Sequence, residues 1–116
     1  MTTPRDELWP TDYSARRDAA RQRLADVPLP PGAIEDSAGE WFAEDGDTLV
    51  RVFEYWVRSG EGWDVRVCGL QRGDGSVSHL WRSNSDFTTG NPDAAREFDA
   101  ACADAAYELV RLRGDD

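Results

Sequence analysis

The residues able to do chemistry are few. His79 is the only histidine, and Cys68 and Cys102 are the only thiols. Nucleophilic catalysis needs a serine or cysteine beside a base, with a third group orienting that base. No serine stands in a nucleophile-elbow context, and neither cysteine has a neighbour that would stabilise a thiolate. Two separated cysteines and one histidine fall short of the four ligands of a tetrahedral zinc site. Glu44, Asp45 and Asp47 are close together, but a calcium loop needs more regular spacing and a closing glutamate. Gly73-Asp74-Gly75 is followed by neither a helix start nor a lysine, so it is a turn and not a phosphate cradle. These residues predict no catalytic set, no cofactor and no metal.

Two other groups stand out. Six acids and no base lie between Glu35 and Asp47. With the Trp41 indole inside that run, Glu35, Asp36, Glu40, Trp41, Glu44, Asp45 and Asp47 are candidates for meeting a basic protein surface. Tryptophan is abundant, at 5 residues. Trp56, Trp63 and Trp81, with His79, are candidates for lining a pocket between sheet and helices. The plainer reading makes the tryptophans core filling, because aromatics bury large areas where leucine and isoleucine are scarce.

The elements that must position these groups follow from periodicity. From Thr48 to Arg82 three apolar, β-branched and aromatic runs are separated by glycine-containing turns, Ser59-Gly60-Glu61-Gly62 and Asp74-Gly75. A short strand around Glu40–Glu44 and the turn Asp45-Gly46-Asp47 precede them. The result is a four-stranded antiparallel meander over about residues 39–83. The second strand alternates Leu49, Arg51, Phe53, Tyr55 and Val57 against Val50, Val52, Glu54, Trp56 and Arg58, apolar on both faces, as in a strand covered on two sides.

Asn91-Pro92 opens a helix to residue 113, with Ala95, Phe98, Cys102, Ala105, Leu109 and Leu112 in one stripe and Gly114 as its stop. A shorter helix is predicted over residues 12–26, and residues 1–10 form a flexible arm. Pro28, Pro30 and Pro31 make residues 27–34 an extended connector. The fold class is α+β, one domain. The C-terminal helix is expected on one sheet face, with the connector and N-terminal helix on the other.

At 116 residues the chain buries roughly two-thirds of its unfolded surface without staples. All 13 basic residues are arginine, and the net charge of −10 falls on residues 31–116, since five arginines balance five acids before them. That charge disfavours direct nucleic-acid or membrane-surface binding. Two unpaired thiols, no apolar run of membrane-spanning length and no apolar signal-peptide core predict a cytoplasmic protein.

Leu29-Pro30-Pro31-Gly32-Ala33, then Trp41, Arg51-Val52-Phe53, and Gly69-Leu70-Gln71 leading to Asp74-Gly75-Ser76-Val77, form a pattern that resembles small proteins of mycobacteria, related actinobacteria and their phages. The resemblance spans about residues 28–112. It implies a source, in keeping with the lysine-free composition, and no activity.

The leading functional expectation is a non-enzymatic protein-interaction module, with a phage or mobile-element accessory as one form of it and a basic protein as partner. A small-molecule or peptide binder with a tryptophan-lined pocket is the second, and a DNA mimic the third. The first and fourth strands leave two sheet edges to be protected or paired, and a homodimer is one way to do so.

Overall fold

A computed structural model of the chain describes residues 18–19, 21–46 and 48–114, with only the backbone of Asp45. The expected arm over residues 1–10, the start of the N-terminal helix and Asp47 lie outside the described residues.

The fold is α+β. Strands β1 (Phe42–Asp45), β2 (Thr48–Gly60), β3 (Trp63–Arg72) and β4 (Val77–Asn84) form one antiparallel sheet in the order β1-β2-β3-β4. A long helix, Pro92–Arg113, follows them. Residues 18, 19 and 21–24 belong to a short N-terminal helix. Gly62 (φ 84°) turns the chain from β2 into β3, a left-handed conformation that an L side chain resists. Asp74 accepts from the Ser76 backbone N–H at 2.9 Å, which shapes the next turn.

Two bulges decide which side chains share a face. Glu54 pairs with Cys68 and Trp56 with Val67, so Tyr55 is an extra residue in β2. Side-chain parity reverses there. Leu49, Arg51, Phe53, Trp56 and Arg58 therefore share one face, and Val50, Val52, Glu54, Val57 and Ser59 the other. This corrects the simple alternation expected for β2, which no bulge interrupts. In β4, Leu70 pairs with His79 and Gln71 with Val77, so Ser78 is extra and Val77 is parted from His79 and Trp81.

The C-terminal helix lies on the face bearing Trp63, Val65 and Val67. These residues, with Ala101 and Ala105, form the buried core. Both alanines are fully buried, and their small side chains let the helix close on β3. Phe98 meets Trp63 edge-on at 5.5 Å, and Phe87 completes the cluster at 5.2 Å from Phe98. Asn91 caps the helix by accepting from the N–H groups of Asp93 and Ala94, and Gly114 ends it with φ 67°.

The N-terminal helix and proline connector pack on this same face, at its far end, and not on the opposite one as expected. Leu24 closes over Gly73, where a β-carbon would stand 3.0 Å from its Cδ2. The reason is polar: Arg51 and Gln71, on the helix-bearing face, bind backbone carbonyls of the connector. One sheet face thus carries both helices, and no described helix covers the other.

Candidate interaction surface

Arg51 and Gln71 are both buried, at 8% and 0% exposure. Arg51 Nε donates to Gln71 Oε1 at 2.8 Å, and its Nη2 donates to the Val27 carbonyl at 2.6 Å. Gln71 Nε2 donates to the carbonyls of Pro28 (2.8 Å) and Gly75 (3.2 Å), using both of its N–H groups. The guanidinium lies over the Trp41 ring, 4.5 Å from its centroid. No carboxylate pairs with Arg51 among the described residues. Burial pulls its pKa below the ordinary arginine range. The group binds strap to sheet and is the polar centre of the fold. Arg21 Nε adds a bond to the Trp41 carbonyl at 3.2 Å.

This arrangement settles the place of Trp41. It is 6% exposed and stacked on Arg51, so it offers no indole to a partner. Nor are the four proposed pocket residues brought together. Trp56 and Trp63 pack under the C-terminal helix, Trp63 as part of its filled core. His79 and Trp81 belong to the opposite face by register with Leu70 and Cys68. Ser78 Oγ stands 3.0 Å from His79 Nδ1, but no carboxylate among the described residues bonds to this exposed imidazole. Among the described residues nothing orients the pair as a catalytic base would require.

The helix-free face carries Phe42, Val50, Val52, Val57, Cys68, Leu70, His79 and Trp81. Phe42 is 43% exposed and Val57 37%, whereas Val50 and Cys68 are buried. Across it runs an ion-paired group in which Arg66 bonds Glu54 through Nη1 and Asp64 through Nη2, the latter at 3.2 Å. These bonds, that to Glu54 foremost, raise the Arg66 pKa. Burial, with the Glu54 charge, pushes the Cys68 thiol up, so this cysteine is a poor nucleophile.

The acidic run borders this face. Ile34 N–H donates to the Glu54 carbonyl and Gly39 N–H to the Val52 carbonyl, both at 2.8 Å. Ser37 Oγ accepts from the Glu54 N–H at 2.9 Å. Residues 34–39 therefore lie along β2 beyond the end of β1. Glu35, Asp36, Glu40 and Glu44 are all exposed on this margin, and none forms an ion pair among the described residues.

A groove of about 500 Å³, open to solvent, lies elsewhere, between the connector residues Val27–Pro31 and the turn Gly73–Gly75. Arg23 and Asp26 flank it, and no tryptophan lines it. Among the described residues no three His, Cys, Asp or Glu side chains converge as a metal site, and no helix is long and apolar enough to cross a membrane.

The roles of Arg51 and Gln71 are not readable from sequence, where an arginine in a strand and a glutamine near its end are commonplace. The one signal is the parity that sets Arg51 among Leu49 and Phe53. No protein-family model, curated protein or solved structure matches the chain.

Proposed function

We propose that the protein is a non-enzymatic interaction module that docks a protein with a basic, partly apolar surface. The docking surface is the exposed part of the helix-free sheet face, at Phe42 and Val57, together with its acidic margin. One observation carries this reading: exposed apolar side chains, Phe42 and Val57, lie on a sheet face bordered by four exposed carboxylates that have no ion-pair partner among the described residues. Apolar area supplies affinity, and unpaired like charge along one side selects and steers a cationic partner. The net charge of −10 acts in the same direction. The lysine-free composition and the actinobacterial sequence pattern support a bacterial cytoplasmic setting, with a phage accessory protein as one form of it.

The test is affinity capture from an actinobacterial lysate with three baits at low and high salt. The baits are the wild type, a Phe42→Ser/Val57→Ser variant, and a Glu35→Gln/Asp36→Asn/Glu40→Gln/Glu44→Gln variant. The expected result is one protein held by the wild type at low salt and lost with either variant or at high salt. Retention of nothing, or equal retention by all three baits, overturns the reading. A partner displaced by duplex DNA would instead make the acidic margin a nucleic-acid mimic.

A further inference from the structure

The two edges of the sheet are protected unequally. On one side β1 is four residues long and interrupted by a register shift at Glu44, and residues 34–39 occupy the edge of β2 beyond it. On the other side β4 runs for eight residues. No described residue outside β3 hydrogen-bonds to its backbone. Such an edge presents alternate N–H and C=O groups as a template for another strand. Val77–Asn84 contains no proline, and only the extra residue at Ser78 and the charge of Arg82 blunt this edge.

Charge points to the identity of the added strand. β1 contains Glu44 and Asp45, β2 Glu54 and β3 Asp64, whereas β4, VSHLWRSN, contains no acid. Two copies at −10 each repel over most of their surfaces, and least where β4 meets β4. A basic peptide gains nothing at a strand whose charged side chain is Arg82. We propose that β4 pairs antiparallel with β4 of a second copy, about a twofold axis normal to the sheet.

Geometry restricts the register. Residues directly opposite one another in an antiparallel pair lie on the same face, so the axis must pass through a residue. With the axis at Leu80, His79 stands opposite the second copy's Trp81. With the axis at Trp81, the two Trp81 side chains oppose each other. In both registers Arg82 faces an uncharged residue, Ser78 or Leu80, and Trp81 gains an aromatic neighbour. The helices of both copies fall on one side, and the helix-free faces become continuous.

The experiment is sedimentation of the 116-residue chain over a concentration series at about 0.05 and 0.5 M salt, which brings the screening length from above 10 Å to below it. The expected result is a dimer that tightens as salt rises. This is opposite in sign to capture of a basic partner, so either idea can fail while the other stands. His79→Glu with Arg82→Glu alters two exposed side chains and puts acid into the strand. It should weaken the dimer by about tenfold or more while leaving the circular dichroism unchanged. Amide exchange at residues 77–84 should slow at alternate positions in concentrated samples. A monomer at every concentration and both salts overturns the proposal. So does a dimer that the double variant forms equally well, or one whose β4 amides exchange as fast as in dilute solution.

Discussion

Arg51 and Gln71 stand directly opposite each other on β2 and β3, and the guanidinium Nε donates to the amide Oε1 at 2.8 Å. Through this pair the sheet holds the Val27 and Pro28 carbonyls, and so the proline connector. A buried cation with no carboxylate partner among the described residues is tolerated because carbonyl and amide oxygens and the Trp41 ring replace water.

The costs of removing the two members of the pair should therefore overlap rather than add. Gln71→Leu leaves Arg51 Nε and two carbonyls unpaired and should cost about 1–3 kcal/mol. Arg51→Met should cost a similar amount, about 1–3 kcal/mol. The double variant should lose less than the sum, with a coupling of about 0.5–3 kcal/mol in urea denaturation. Strict additivity would show that the bond contributes nothing of its own.

Phe53 is fully buried and lies across Gly69, where a β-carbon would stand 2.6 Å from its Cζ. Gly69→Ala should destabilise the fold by about 1–3 kcal/mol, since the added methyl overlaps the buried Phe53 ring. Phe53→Leu in the Gly69→Ala background should recover part of that loss. Thermal melts of the three variants decide it.

Ala101 and Ala105 set the distance between the C-terminal helix and β3, and both are fully buried. Ala105→Leu should lower stability by about 1–3 kcal/mol through overpacking. Ala106→Leu, one position on and exposed, should change it by less than about 0.5 kcal/mol. Equal effects in chemical denaturation would contradict the observed helix face.

Stability should fall at alkaline pH, and Cys68 should set part of the fall. Its folded pKa is raised above the ordinary 9.0, chiefly by burial, and that of Tyr55 above 10.0 by the same cause. Each raised group keeps its proton in the folded protein after the unfolded chain has lost it. Their contributions are complete below the unfolded pKa and are lost as pH rises towards the folded one. Cys68→Ala should remove the part of the decline that begins near pH 9.0, leaving the later part due to Tyr55. Urea midpoints between neutral pH and the alkaline limit measure this. An unchanged slope in the variant would discount Cys68.

What the sequence determined by itself is the set of elements. Period-two runs between glycine turns make the strands, and the stripe from Ala95 to Leu112 between Asn91-Pro92 and Gly114 makes the final helix. These are local signals, set by backbone sterics and side-chain spacing within a few residues. The exposure of the acidic segment was also legible, because charge seeks water. Tertiary structure alone decided the faces. The extra residue at Tyr55 reverses parity for the second half of β2 and brings Trp56 under the helix. The bonds from Arg51 and Gln71 to residues more than twenty positions away draw the connector to the helix-bearing face and stack Trp41 inside. A bulge depends on the pairing partner and a buried guanidinium on distant carbonyls, so neither leaves a mark in local composition. By those two choices the chain covers one side of its sheet twice and leaves Phe42 and Val57 exposed on the other.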